Sequence, residues 1–457
     1  MNTAGYRAEA DRELHAILLY WMENTPDLVR GGFIGRIDGQ DRPHPDAPKG
    51  LVLNSRILWT FSAAWRTAAT TSTPGNTTAS HSVPGNGTQD DNASDNSTQD
   101  DSAPGNVAAS RTTGQSIYKP IAERAYHYLL RNFLDRDYGG AYWSLDAAGQ
   151  PLDSRKQIYG QAFALYGLNE YYRASGDKTA LDEAISLFRL IEQHGFDPKQ
   201  NGYFEAFAHD WSLLEDVRLS TRDANDPKTM NTHLHILEAF TNLYHVWPDP
   251  LLLNRIIGLL DIFDRFIIGA STRRHPDSAA TPRPRDTFHL GLFFDAKWNC
   301  RSNLISYGHD IEAAWLLHEA ALVIHNNEWI TKTSRLALHI ATAAAEGLDT
   351  DGGLWYEQED GRLIRQKHWW PQAEAMVGFL QAWQLSGDAI WWQRSLDSWN
   401  FVKEYIRSPD GKEWYWGVEA DNSPMAGQDK TGFWKCPYHN SRACIEIIRR
   451  LHDPAAG

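Results

Sequence analysis

The stretch YGGAYWSLDAAGQ at residues 138–150 is followed, after a short gap, by QIYGQAFALYGLNEYYRASGD at residues 157–177. The first segment is rich in glycine and aromatic residues, which is typical of a short strand or hairpin. The second segment is apolar along most of its length and has the spacing of a helix. Together they form the unit that decides the fold, because the same order of segments recurs along the chain.

Six units of this kind follow one another, each with a hairpin stretch and then a helical stretch. They occupy residues 30–65, 138–177, 201–247, 289–324, 351–388 and 412–451. The distance from Gly139 to Gly202 is 63 residues, and the distance from Gly291 to Gly352 is 61 residues. A period of this length predicts one repeated supersecondary unit rather than a set of unrelated domains.

A second kind of helix lies between the hairpin units, for example at residues 119–134, 179–195 and 250–267. Its apolar residues recur at i, i+3, i+4 and i+7, as expected for a helix with one buried face. Two helices per unit predict an all-α fold, an (α/α)6 barrel with short β-hairpins at one rim. The more apolar helix after each hairpin is predicted to be the inner helix, and the charged one the outer helix.

One segment, residues 70–115, departs from this pattern. It contains no aromatic residue and consists mainly of Thr, Ser, Asn, Gly, Asp and Ala. Such a segment cannot bury enough apolar surface to offset its ordering entropy, so we predict a disordered low-complexity insertion. Without these 46 residues, the distance from Gly32 to Gly140 falls from 108 to 62 residues. We therefore predict a single catalytic domain over residues 1–457, interrupted by this insertion, and a further insertion near residues 271–286.

The composition limits the class of partner. The chain has 457 residues and a formal net charge of −14, with 44 Lys and Arg against 58 Asp and Glu. This balance argues against nucleic acid or an anionic membrane as a partner, because each needs a basic face. The three cysteines form no CxxC pair, and neither a signal segment nor a membrane span is recognisable. We expect a cytoplasmic monomer that acts on a small molecule.

Polar residues stand at the start of every predicted inner helix, where a barrel would bring them to one central funnel. They are Asn54 and Arg56; Tyr159 and Gln161; Asn231 and His235; Tyr307, His309 and Glu312; Trp369, Trp370 and Glu374; and His439 and Asn440. Some are spaced i, i+4, such as Asn231 and His235, and therefore share one helix face. An isolated buried polar residue is usually structural, but six units with polar groups at the same register predict a ligand site.

The aromatic content indicates the class of ligand. The chain holds 19 Trp, 18 Tyr and 17 Phe, and the aromatic residues near the predicted rim are Tyr159, Trp315, Trp369, Trp370 and Trp434. Aromatic faces pack against the C–H faces of sugar rings, while indole N–H and phenol O–H groups reach hydroxyls. We therefore expect a carbohydrate site, although most of the tryptophans are expected to fill the barrel core.

Two reactions fit these residues. A glycoside hydrolase would use Glu312 and Glu374 as the two carboxyl groups that flank a scissile bond. An epimerase would use His309 and His439, because imidazoles on two sides of one carbon can remove a proton and return it to the opposite face. Arg56 would then stabilise an enediolate oxygen. A sugar-binding protein without activity is a third alternative.

Metal and nucleotide chemistry are not expected from the motifs. The chain contains no HExxH, no GxGxxG after a strand and no GxxxxGK[ST]. His233 and His235 are two residues apart, so their imidazoles point to different sides of a helix. A Ser-His-Asp triad lacks a GxSxG turn to support it. We therefore predict no cofactor and no metal.

Five motifs along the chain carry a family resemblance. They are KGLVLNSRILWTFSAAW at 49–65, NTHLHILEAF at 231–240, SYGHDIEAAWLL at 306–317, WWPQAEAMVG at 369–378 and WKCPYHNSRACIEI at 434–447. They resemble the cellobiose 2-epimerases of the N-acylglucosamine 2-epimerase superfamily, and the resemblance covers nearly the whole chain outside residues 70–115. The segment NSRILWTFS favours that branch over the N-acylglucosamine 2-epimerases and the mannose isomerases.

The resemblance implies an (α/α)6 barrel and a cofactor-free isomerase. Its reaction would epimerise C2 of the reducing-end glucose of β-1,4-linked disaccharides, converting cellobiose to glucosyl-mannose and lactose to epilactose. In the family, the ring opens, one His removes the C2 proton, a cis-enediolate forms and rotates, and a second His protonates the opposite face. Relatives that act on mannobiose, or that interconvert aldose and ketose, are the alternatives within the superfamily.

The same resemblance implies roles for individual residues. The two acid/base histidines correspond to His309 and His439, and the essential arginine corresponds to Arg56. The full set implied is His309, His439, Arg56 and His235 for catalysis, and Tyr159, Asn231, Asp223, Glu312, Trp315, Trp370 and Glu374 for substrate binding. The insertion at residues 70–115, which the family does not require, follows the first inner helix and is expected to leave the site intact.

Overall fold

Outer and inner helices alternate along the computed structural model, which describes residues 1–71, 114–269 and 288–452. The outer helices are α1 (Thr3–Asn24), α3 (Gly114–Tyr128), α5 (Lys178–Leu190), α7 (Pro250–Ile262), α9 (Asn327–Ala344) and α11 (Ala389–Phe401). The inner helices are α2 (Leu51–Thr71), α4 (Ile158–Ser175), α6 (Met230–Tyr244), α8 (Tyr307–Val323), α10 (Trp369–Ser386) and α12 (Tyr438–Arg450).

The inner helices form a closed ring. Each packs against the next inner helix, and α12 packs against α2, which closes the barrel. The first helix of the chain, α1, packs against the last, α12, and completes the outer layer. Every residue of α4 from Ile158 to Tyr171 is buried, whereas α5 buries only Ala180, Ala184, Leu187 and Phe188. The predicted (α/α)6 barrel, and the predicted division into inner and outer helices, are confirmed.

Short antiparallel strands join each unit to the next. The strands are β1 (Lys49–Gly50), β2 (Ser144–Leu145), β3 (Pro151–Asp153), β4 (Lys156–Gln157), β5 (Ala206–Phe207), β6 (Lys228–Thr229), β7 (Phe293–Phe294), β8 (Ile305–Ser306), β9 (Glu357–Glu359), β10 (Arg362–Ile364), β11 (Lys367–His368) and β12 (Gly417–Val418). The strand before an inner helix pairs with the hairpin of the following unit, as in β1 with β2 and β4 with β5. A bridge between Ile37 and Thr431 links the last unit to the first.

Buried ion pairs recur at the start of the inner helices. A fully buried lysine stands two or three residues before five of these helices, and each pairs with an acidic side chain that follows an outer helix. The pairs are Lys49 with Asp27, Lys156 with Asp135, Lys228 with Asp197, Lys367 with Asp349 and Lys435 with Glu413, at 2.6–2.9 Å. They tie the end of an outer helix to the start of an inner helix. The positions of the lysines in the sequence did not by themselves predict these ion pairs.

Two predictions concern residues outside the described part of the chain. The predicted insertions at residues 70–115 and 271–286 fall almost entirely on residues 72–113 and 270–287, which the structure does not describe. At the first of them, α2 continues to residue 71 and α3 begins at residue 114, so each helix reaches two residues into the predicted insertion. Among the described residues, no helix is both long and apolar enough to cross a membrane.

Candidate active site

The register of the inner helices builds a cavity of about 490 Å³ at the rim that carries the hairpins. The second and sixth residues of an inner helix are spaced i, i+4 and both face the barrel axis. Lining residues at the second position are Tyr159, Asn231, Trp370 and His439, and those at the sixth are Arg56, His235 and Glu312. His309, the third residue of α8, also lines the cavity. Helix geometry therefore brings these predicted residues together. The others of the predicted set do not line the cavity: Asn54, Gln161, Tyr307, Glu374 and Asn440.

In four inner helices the fourth residue binds the backbone of a hairpin and does not line the cavity. Gln161 accepts a hydrogen bond from the backbone N–H of Ala141 at 2.7 Å, and His233 accepts one from the N–H of Tyr203 at 2.9 Å. Asp310 and Gln372 do the same for their own hairpins. Gln161, which the sequence placed among the converging polar residues, therefore holds a hairpin and does not line the cavity.

His439 is a buried imidazole with one nitrogen already engaged. Its Nδ1 lies 2.7 Å from Oε1 of Glu374, an arrangement in which Nδ1 carries the proton and Nε2 is the free base. Burial lowers the pKa of His439 well below its usual value, and the charges of Arg56 and Arg442 lower it further. The ring is therefore neutral at physiological pH and able to accept a proton.

His309 is the second imidazole in the cavity. Its Nδ1 lies 2.8 Å from the Oγ of Ser306. Burial, followed by the nearby His235, lowers the pKa of His309 to about 3. The indole of Trp370 contacts both catalytic candidates, with ring centroids 4.6 Å from His309 and 5.7 Å from His439. The indole of Trp370 therefore lies beside two neutral imidazoles in the same cavity.

Arg56 supplies a positive charge whose counter-ion is missing. Its Nη2 donates to the hydroxyl of Tyr159 at 2.8 Å, and its guanidinium lies 4.1 Å from the ring centroid of Phe163 and 4.8 Å from that of Tyr438. Among the described residues, no carboxylate lies within 4.0 Å of it, and its buried Nε has no hydrogen-bond partner. A desolvated cation in this state favours an anionic oxygen in the cavity.

A layer of buried charge lies beneath the cavity, organised by Arg442. This guanidinium contacts the carboxylates of Glu238, Glu312 and Glu374. Burial raises the pKa of Glu312 and of Glu374, and for Glu312 the neighbouring Glu374 carboxylate adds to the effect, while Arg442 opposes it for both. Trp315 donates from Nε1 to Glu374 at 3.0 Å. Through Glu374, this layer holds the imidazole of His439 in its orientation.

The remaining predicted residues lie at different depths along the barrel axis. Trp315, the ninth residue of α8, and Glu374, the sixth of α10, lie below the floor of the cavity and do not line it. Asn231 lines it, and its buried Oδ1 has no hydrogen-bond partner among the described residues. His235 holds Glu238 through Nδ1 at 2.9 Å, and Asp223 lines the cavity from the loop that precedes β6.

The hairpins and short strands also supply lining residues, which the sequence motifs did not reveal. Burial raises the pKa of Glu205 to about 8 and that of Glu357 to about 7, and both line the cavity beside Tyr356 and His368. Glu205 lies in the aromatic stretch NGYFEAF of the third hairpin. No spacing rule distinguishes such a glutamate from an exposed hairpin residue, so only the tertiary structure reveals it.

Glu312, Glu374 and His439 are the one group of ligand atoms in the described ranges that could hold a metal ion, with their atoms within 4.8 Å of one another. Arg442 contacts both carboxylates at this point. A fixed guanidinium in the same place repels a metal cation. The residues therefore fit a buried salt-bridge network better than a metal site.

Comparison with known proteins agrees with the motifs. Residues 106–443 match the family described as N-acylglucosamine 2-epimerase (GlcNAc 2-epimerase). The chain is 42% identical to a cellobiose 2-epimerase of Bacteroides fragilis, covering 97% of this chain and 98% of the relative. The chain belongs to the N-acylglucosamine 2-epimerase family. A cellobiose 2-epimerase of Dictyoglomus turgidum is 34% identical over 99% of this chain and 100% of the relative.

Solved structures superpose on this chain over nearly its whole length. The structure of a cellobiose 2-epimerase from Bacillus thermoamylovorans superposes with a TM-score of 0.80 at 35% identity, covering 98% of this chain and 100% of that one. A D-mannose isomerase superposes with a TM-score of 0.73 at 19% identity, covering 97% of this chain and 98% of that one. At that identity the likeness concerns the fold alone.

Proposed function

We propose that this protein is a cellobiose 2-epimerase. It reversibly epimerises C2 of the reducing-end glucose of a β-1,4-linked disaccharide, such as cellobiose or lactose, without a cofactor. The observation that carries the proposal is the pairing of two buried neutral imidazoles, His309 and His439, with a guanidinium, Arg56, that lacks a carboxylate partner among the described residues. Relatives named cellobiose 2-epimerase, at 42% and 34% identity over nearly the whole chain, support it.

The chemistry begins with the open-chain aldose. One imidazole removes the C2 proton, the C–H electron pair forms the C1=C2 bond, and the carbonyl electron pair moves to O1. Arg56 stabilises the negative charge on the resulting enediolate, since it is a preorganised cation in a site of low polarity. Once the enediolate has formed, the other imidazole takes a proton from water and delivers it to the opposite face of C2 as the carbonyl forms again. The first imidazole then returns the proton that it took from C2 to water.

Supporting groups keep the two imidazoles in place. Glu374 accepts from Nδ1 of His439 and offsets the charge that the ring gains when it takes a proton. Trp370 contacts both imidazoles and offers an aromatic face to the sugar ring. Asn231 and Tyr159 offer hydrogen-bonding groups to the hydroxyls of the substrate.

The arrangement of the carboxylates disfavours glycoside hydrolysis. A glycosidase places its two carboxyl groups on either side of the scissile bond, about 5–5.5 Å or 6.5–9.5 Å apart. Here Glu312 and Glu374 contact the same nitrogen of Arg442, and Glu374 lies below the cavity floor. They cannot flank a bond in the cavity.

Incubation of cellobiose with the protein in D2O tests the proposal. We expect NMR to show glucosyl-mannose with deuterium at C2 and an intact glycosidic bond. Free glucose would establish a hydrolase, and unchanged cellobiose with bound sugar would establish a binding protein; either result contradicts the proposal. Parallel reactions with lactose and mannobiose rank the substrates, and a ketose product measures the aldose–ketose reaction.

A further inference from the structure

Ser306 stands directly before α8, at the position where a serine commonly caps a helix. The hydroxyl of a capping serine accepts a hydrogen bond from a backbone N–H of the first turn. Ser306 makes no such bond, although Thr229, at the same position before α6, accepts one from the N–H of Thr232. The hydroxyl of Ser306 lies instead 2.8 Å from Nδ1 of His309. A side chain suited to capping the helix is therefore used here to bind an imidazole.

His309 reaches the cavity from an uncommon position on its helix. Of the third residues of the six inner helices, which all lie in described parts of the chain, His309 alone lines the cavity. The second residue of α8 is Gly308, where a Cβ would lie 2.6 Å from the ring of Trp370, so the glycine leaves space for that indole. Because neighbouring residues of a helix point about 100° apart, the imidazole of the third residue has to be held toward the barrel axis.

The hydroxyl that holds this ring is itself fixed in place. Ser306 is buried and belongs to β8, where it pairs in register with Glu357 of β9. Within the described residues, the contact with Ser306 is the only hydrogen bond that the imidazole of His309 makes. The imidazole of His439, by contrast, is oriented by the carboxylate of Glu374. The orientation of His309 therefore depends on a single hydroxyl.

The same hydroxyl determines which nitrogen of His309 carries the proton. A neutral imidazole has one N–H and one free nitrogen, and the hydrogen bond made by one nitrogen sets the state of the other. When Nδ1–H donates to Ser306, Nε2 is free and can take a proton from a substrate. When the proton lies on Nε2, the nitrogen that Ser306 leaves open is already protonated, and the ring cannot act as a base.

We propose that Ser306 is a positioning residue for the epimerisation. Its hydroxyl accepts a hydrogen bond from Nδ1–H of His309 and so keeps Nε2 unprotonated and directed into the cavity. This inference rests on the proposed function, in which His309 is one of the two acid/base imidazoles. Because Ser306 binds His309 and not His439, its loss impairs one of the two proton transfers at C2 and spares the other.

Exchange at C2 in D2O, measured separately from cellobiose and from glucosyl-mannose, distinguishes the two proton transfers. An imidazole that has removed the C2 proton can exchange it for a deuteron and return that deuteron to the same face, which labels the sugar without epimerising it. In Ser306→Ala we expect epimerisation to slow about tenfold, near the upper limit for one hydrogen bond. Labelling without epimerisation should persist for the one epimer whose proton His439 removes and should slow by a similar factor for the other.

Histidine 15N NMR of the substrate-free protein tests the tautomer directly. We expect the His309 signals, assigned with His309→Asn, to show a protonated Nδ1 in the unaltered protein and a changed proportion of the two tautomers in Ser306→Ala. Ser306→Thr keeps the hydroxyl and should keep both the tautomer and the labelling of both epimers. As a matched control, Ser398→Ala removes the hydroxyl of a buried serine of α11 and should change neither measurement.

Three outcomes would overturn the positioning role of Ser306. Ser306→Ala could label and epimerise both sugars as the unaltered protein does, or it could slow the labelling of both epimers equally, as a general loosening of the fold would. The unaltered protein could also carry the proton of His309 on Nε2. Failure of the proposed function is seen separately, as absence of epimerisation by the unaltered protein, and the tautomer measurement does not require turnover.

Discussion

The two imidazoles are oriented by different hydrogen-bond partners. His439 is oriented by a carboxylate, Glu374, and His309 by a hydroxyl, Ser306. A carboxylate raises the basicity of the ring it orients and stabilises its protonated form, whereas a hydroxyl does so only weakly. Since the proposed reaction is reversible, each imidazole must serve as base in one direction and as acid in the other.

Replacement of either imidazole should stop turnover. We expect His309→Asn and His439→Asn each to reduce kcat by at least about 100-fold, because general acid–base catalysis contributes that much or more. Circular dichroism and thermal unfolding should remain close to those of the unaltered protein. As a matched control, His318→Asn changes a buried histidine that bonds Thr333 and does not line the active-site cavity, and it should retain turnover. Near-normal activity in both variants would falsify the two-histidine assignment.

The pH dependence of turnover follows from the burial of the imidazoles. An ordinary histidine has a pKa near 6.5 and loses its function as a base below about that pH. Burial lowers the pKa of His309 to about 3 and that of His439 well below its usual value. Both therefore remain neutral as the pH falls through about 6.5, and kcat/KM should not decline between about pH 7.5 and 6. A fall with a midpoint at about pH 6.5 would show that one of the bases is solvated.

Arg442 is the shared cation that neutralises the buried carboxylates below the cavity. Arg442→Met leaves Glu238, Glu312 and Glu374 without their shared cation, and we expect the free energy of unfolding to fall by about 3–5 kcal/mol in urea titrations. The loss should be smaller at about pH 5 than at about pH 7.5, because in the variant the folded-state pKa values of the carboxyls lie above their unfolded values and protonation stabilises the folded state. Arg449→Met removes a half-exposed arginine and should cost less than about 1 kcal/mol.

At the scale of secondary structure elements, the repeating unit is a pair of helices held in place by three kinds of contact. In four units the fourth residue of the inner helix binds the hairpin backbone. The strand before the inner helix pairs with the next unit, and a buried lysine binds the end of the outer helix in five units. The fourth unit has Ile305 where the others have lysine, and its inner helix instead uses Asp310 to bind His289 at 2.6 Å. The helices follow from apolar periodicity, but these fastenings join residues far apart in sequence.

The buried lysine of the third unit allows this fastening to be tested. Lys228→Met leaves Asp197 buried without its cation, and we expect a loss of about 3–5 kcal/mol in the free energy of unfolding. The double variant Lys228→Met with Asp197→Asn removes both charges and should recover more than half of that loss. If the double variant is no more stable than the single one, the uncompensated carboxylate is not the cause of the loss.

At the scale of the whole molecule, the barrel separates its two ends. The amino-terminal ends of the inner helices line the proposed active site, and their later turns line a separate cavity of about 360 Å³ that Arg442 borders. The segment between α2 and α3 leaves α2 at its carboxyl end, away from Arg56 near the amino end. Because the segment is attached at the far end of α2, we expect changes in it to leave Arg56 and the other catalytic residues in place.

Deletion of residues 74–111, replaced by a short Gly/Ser linker, tests this separation. We expect kcat and KM for cellobiose to change less than about twofold, because α2 and α3 pack side by side and a short connection can join them. Light scattering should give the mass of a monomer before and after the deletion, in line with the monomer that we propose. A large loss of kcat with unchanged thermal unfolding would instead assign the segment a role in catalysis.

The sequence by itself determined the helix pairs and the faces they bury, because apolar spacing and the i, i+4 rule are local properties of a helix. The same local rules were sufficient to place His309, His439, Arg56 and Asn231 at one rim of the barrel. Only the tertiary structure decided how deep each side chain lies in the barrel and which side chains it contacts. Trp315 lies below the cavity floor, and Glu205 reaches the cavity from a hairpin, because both depend on how neighbouring units pack around the barrel axis.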